Sequence, residues 1–140
     1  MKPVPFLPAL FGAILLLPFI YATVALAGLI TPPSAYWASP YSVFNSYGAI
    51  YVGLLGGVYW GFAAKRANIL DVFIAVLPPF VAFAASVSAT PKLSYAIAIA
   101  VLLLFDLIYI SRGAAPRWWL SLRVYSGIVA IGCLVYAYYA

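Results

Sequence analysis

The 140 residues include seven Lys or Arg, two Asp, no Glu and no His, and 68% of them are hydrophobic. Only 6% are charged, against about 25% in a soluble domain, so the long apolar runs read as membrane spans. The net charge of +5 comes with no basic patch interleaved with polar residues, which argues against a nucleic-acid partner. With no His and with Cys133 as the lone cysteine, no haem, metal or other cofactor is expected.

The first span is expected over about 6–30, with Pro18 inside it as a source of a kink. Lys2 ahead of an apolar run that ends in Ala25-Leu26-Ala27 also fits a cleavable signal, but the segment is read as a retained helix. Residues 31–41 then hold three prolines with Tyr36, Trp37 and Tyr41, the composition of an interfacial connector. A second span is expected over about 42–64, closed by Lys65-Arg66. The third covers about 69–89, with Pro78-Pro79 breaking its middle. The fourth covers about 93–111 and the fifth about 118–139, each near the ~20 residues that cross hydrocarbon. The expected fold class is therefore an all-α bundle of five transmembrane helices, a single domain over 1–140.

Five crossings would gather Lys2, Lys65, Arg66, Arg112, Arg117 and Arg123 on one side and leave only Lys92 on the other. By the positive-inside rule the N-terminus is cytoplasmic. Trp60, Trp118 and Trp119 become anchors at the inner interface, and Tyr136, Tyr138 and Tyr139 lie at the outer one.

Gly53, Gly57 and Gly61 recur every fourth residue on the second span, with Gly56 beside them. Such a stripe lets a second backbone approach, within the bundle or on a partner. Asp106 lies about five residues from the inner end of the fourth span, and Arg123 a similar distance into the fifth. An uncompensated carboxylate at helix centre costs about 2.5–3.5 kcal/mol, so an Asp106–Arg123 ion pair locking the two helices is expected. Ser126, Ala130, Cys133 and Ala137 continue Arg123's face and are all small, a face suited to packing on protein. Asp71 stands three residues after Asn68, the spacing of a capping box, with Lys65 and Arg66 as nearby counter-charge.

The run from Tyr47 to Gly61, YGAIYVGLLGGVYWG, resembles the signature of an uncharacterised membrane family (domain of unknown function 3429) that includes transmembrane protein 69. Leu55-Gly56-Gly57 and Trp60-Gly61 carry the likeness, as do Leu16-Leu17-Pro18-Phe19 and the stretch from Pro116-Arg117-Trp118-Trp119 to Leu122-Arg123. Tyr59 stands where members often carry His or Arg, and Tyr51 to Gly53 replace the usual Leu-Ser-Phe. The resemblance implies a bacterial inner-membrane or mitochondrial inner-membrane home and supplies no activity.

No His, Glu or reactive thiol pair is present to activate a nucleophile, so a non-enzymatic role is expected. The preferred expectation is an accessory subunit or assembly factor docked on a respiratory or photosynthetic membrane complex, with lipids and other membrane subunits as partners. The alternative is a small transporter, or a lipid- or quinone-binding protein, using Asp106 and Arg123; a dry, paired Asp106 would favour the first.

Overall fold

The computed structural model describes residues 2–32 and 39–140. The connector residues Tyr36 and Trp37 lie outside the described residues. Five helices follow one another: α1 (Phe6–Leu26), α2 (Pro40–Ala63), α3 (Ile69–Ser86), α4 (Pro91–Ser111) and α5 (Arg117–Tyr139). No strand occurs among the described residues.

Helix boundaries follow local chemistry. Pro40 and Pro91 occupy first-turn positions of α2 and α4, where the missing N–H costs nothing. The Ser39 hydroxyl accepts from the Ser42 N–H at the start of α2, and Asn68 Oδ1 accepts from the Leu70 N–H at the start of α3. The first helix stops at Leu26, short of the expected 30. Gly28 takes a left-handed φ of +75°, its N–H bonds the Ala25 carbonyl, and the Leu29 N–H bonds that of Val24. That pair of bonds closes the last turn in the Schellman manner. Gly113, at φ +69°, does the same for α4 through the Ile110 and Tyr109 carbonyls.

Four helices, α1, α3, α4 and α5, are long and apolar enough to cross a membrane, which makes this a multi-pass membrane protein. The remaining helix, α2, has 24 residues and so spans about 36 Å, but it is less apolar. Its position explains the difference. It touches all four other helices, whereas α1 packs only on α2 and α5, and α3 only on α2 and α4. Contact with four neighbours gives hydroxyls on its packed side acceptors that a helix facing lipid would lack. Tyr47 donates to the Leu15 carbonyl of α1 (2.8 Å), and Tyr59 to the Leu102 carbonyl of α4 (2.9 Å).

Pro78 and Pro79 do not break α3, which is continuous from Ile69 to Ser86. They do remove the N–H groups that would bond the carbonyls of Ile74 and Ala75. The most extensive helix contact, α2 on α3, covers this spot. A Cβ added to Gly56 would lie 2.8 Å from Pro79 Cδ and 3.2 Å from the Ala75 oxygen. Gly56 thus lets the α2 backbone close over the proline step, as neighbouring helices do around membrane prolines.

Two aromatic clusters fill the core. Phe19 of α1 packs on Phe44, Tyr47 and Tyr51 of α2. Toward the other end of α2, Tyr59 and Phe62 pack on Tyr109, and Phe62 meets Trp119 edge-on. The α2–α3 and α4–α5 turns share an end of the bundle with the N-terminal segment. Arg66 lies beside Gly113, and the Ser121 hydroxyl donates to the Lys2 carbonyl.

Candidate functional site

The site is built where α4 meets α5, near that basic end. Asp106 lies five residues before the end of α4 and Arg123 six after the start of α5, so each sits roughly 8–9 Å along its helix from the same end. Antiparallel packing brings them level. Arg123 Nε donates to Asp106 Oδ2 at 2.9 Å, with both side chains almost wholly buried. Trp119 precedes Arg123 by four residues, one helical turn, and therefore faces the same way. Its indole N–H donates to Asp106 Oδ1 at 2.6 Å. Both carboxylate oxygens are thus occupied by α5 donors, and the charge is compensated inside the bundle.

Trp119 is accordingly more than the interfacial anchor its sequence position suggested, since its ring turns inward. Trp60 is 47% exposed on α2 and Trp118 is half-buried. Helical spacing was the available signal: a donor four residues before Arg123 reaches whatever Arg123 reaches.

The guanidinium is incompletely used. Arg123 holds five N–H donors, of which only the one on Nε has a partner. Nη1 and Nη2 are buried and meet no acceptor among the described residues. Each buried donor left unpaired costs about 1–3 kcal/mol.

A second acid–base contact lies at the rim. Asp71 is fully buried in the first turn of α3, and Arg112 Nη1 approaches its Oδ1 to 3.0 Å from the end of α4. The Tyr109 hydroxyl donates to the Asp71 carbonyl at 2.7 Å and fixes the same junction. The expected capping box is therefore half made. Asn68 caps the helix, but the Asp71 carboxylate faces Arg112 and makes no hydrogen bond back to Asn68. The countercharge is Arg112, not Lys65 or Arg66, because α3 and α4 are neighbours.

The two small-residue faces divide. On α5, Ser126, Ala130 and Ala137 are buried against the bundle, with Cys133 half-buried beside them. On α2, a Cβ at Gly53, Gly57 or Gly61 would meet nothing within 4 Å, whereas Gly48 lies against the Tyr95 ring and Gly56 against Pro79. The Gly53–Gly57–Gly61 stripe therefore packs against nothing among the described residues. Among the described residues no group of His, Cys, Asp or Glu could hold a metal.

The family pieces fall on this architecture in order. Leu16 to Phe19 lie in α1, Leu55 to Gly61 on α2 opposite the proline step, and Pro116 to Arg123 at the start of α5, carrying both donors to Asp106. A family match runs over residues 4–139. The chain belongs to the family described as protein of unknown function (DUF3429). No curated protein and no solved structure matches it. Tyr59, where members often carry a basic residue, is here a fully buried core side chain spent on the Leu102 carbonyl.

Proposed function

We propose that the protein is a non-catalytic accessory subunit or assembly factor of a larger energy-converting membrane complex, respiratory or photosynthetic. In this reading it sits in a bacterial inner membrane with all five helices crossing and its N-terminus in the cytoplasm. The observation that carries the reading is the exposed face of α2. Gly53, Gly57 and Gly61 leave the backbone bare, and Ser42, Ser46, Trp60 and the exposed Ile50 fall on the same arc. Bare backbone flanked by hydroxyls suits close packing against another helix better than contact with lipid tails. The same helix packs its opposite side against the four other helices, so a partner seated here would be coupled to the whole bundle.

Two further points support it. Asp106 is dry, and both its oxygens are occupied, which fits a strut better than a proton or cation path. Five crossings set six basic residues against Lys92 alone, the arrangement the positive-inside rule favours.

The test is affinity purification of the tagged protein from native membranes in mild detergent, read by mass spectrometry and native gel. Stoichiometric recovery of electron-transport subunits is expected. Gly57→Leu should abolish that recovery while the variant's helical content and melting stay unchanged. A chain that purifies alone, or a complex indifferent to Gly57→Leu, would overturn the reading.

A further inference from the structure

The chain has two acidic side chains, and both are taken, Asp71 by Arg112 and Asp106 by Arg123. No side-chain carboxylate is left for Lys2 and Arg117, both exposed at the basic end of the bundle. The two sit close together. The Ser121 hydroxyl donates to the Lys2 carbonyl at 3.0 Å, and Arg117 lies one helical turn before Ser121 on the same line of α5. One turn further along that line comes Tyr125, in the wall of a groove of about 400 Å³ between α1 and α5. Val4, two residues after Lys2, borders the same groove, as do Gly12, Ala13, Leu122 and Val129. We propose that this groove holds one acyl chain of an anionic phospholipid, with the lipid phosphate on Lys2 and Arg117.

Three observations set the ligand's chemistry. The first is surface. The groove wall is mostly apolar, and Ala13, Tyr125 and Val129 are exposed where two membrane-spanning helices meet, so the occupant comes from the bilayer. The second is charge. Two cations without a carboxylate favour a lipid of net negative charge, and they repel the choline or ethanolamine of a zwitterionic one. The third is depth. Arg117 precedes Leu122 by five residues, roughly 7–8 Å along α5, which leaves room for a glycerol backbone between phosphate and chain. From Leu122 to Val129 the groove continues for roughly 10 Å, most of the ~15 Å of hydrocarbon in one leaflet. The groove belongs to α1 and α5, so this inference is independent of whether α2 docks on a partner.

The full chain, purified in detergent and stripped of lipid, would be titrated with dioleoyl phosphatidylglycerol and with dioleoyl phosphatidylcholine, each read by native mass spectrometry. Selective one-to-one retention of phosphatidylglycerol is expected, undisturbed by millimolar inorganic phosphate. Lys2→Gln and Arg117→Gln should each weaken it about fivefold, and the double variant about 25-fold. Ala13→Trp fills the groove but leaves both cations, and should weaken retention by about tenfold or more. Lys65→Gln removes a charge at the same end of the bundle but outside the groove wall, and should change retention less than about twofold. All four positions are exposed, so these variants keep the fold. Equal retention of the two lipids, or displacement by inorganic phosphate, would overturn the proposal. So would Ala13→Trp binding as wild type does, or a Lys65→Gln effect as large as that of Arg117→Gln.

Discussion

The two acid–base pairs use the same residue types to different ends. Asp71–Arg112 sits at the rim, where Arg112 is 27% exposed and the carboxylate is held by one ion contact without a hydrogen bond. Asp106–Arg123 lies inside, with two directed hydrogen bonds closing on the carboxylate. At the rim, Arg112 keeps part of its hydration although Asp71 is buried. Inside, neither side chain keeps appreciable hydration, so the interior pair has to be better made. The rim contact ties α3 to α4 and the interior one α4 to α5, so together they hold α4 at one end from both sides.

The largest expected effect comes from breaking the interior pair on one side only. Asp106→Leu leaves Arg123 charged and alone, and should cost about 3–5 kcal/mol in detergent unfolding. The double variant Asp106→Leu/Arg123→Leu should recover most of that loss. A double variant as unstable as the single would mean that the two residues do not act as a pair. Next comes Trp119→Phe, which keeps the ring but removes the donor to Oδ1. It should cost about 1.5–2 kcal/mol, measured the same way. Arg112→Gln should cost about 1–2 kcal/mol, because Arg112 is partly solvated and an amide replaces it beside the buried Asp71 carboxylate, and raising salt should shrink the gap from wild type. If Arg112→Gln proved as costly as Asp106→Leu, the distinction between rim and interior would fail.

Much of this was legible in the residues. Asp106 and Arg123 lie similar distances from the same end of adjacent spans, and depth alone suggested that they meet. Trp119 was read as an anchor because tryptophan near a span end is ordinarily interfacial. Only the rotation of α5 shows its N–H turned inward. Arg112 could not be singled out, since Lys65 and Arg66 share its end of the bundle and only the α3–α4 contact selects among them. The proline pair in α3 read as a break because propensity sees the missing N–H groups and not the Gly56 backbone that covers the freed carbonyls.

Gly56 and Gly57 mark the boundary between the two kinds of information. Composition and span length determined by themselves that the chain forms a small set of long apolar helices, and roughly where each one lies. Those properties are local, set by backbone hydrogen bonding and by transfer from water. Adjacent residues on a helix point about 100° apart, so which of two neighbouring glycines meets α3 and which faces outward depends on how α2 is rotated in the bundle. That rotation is fixed by contacts among helices far apart in the chain, and only the tertiary structure decided it.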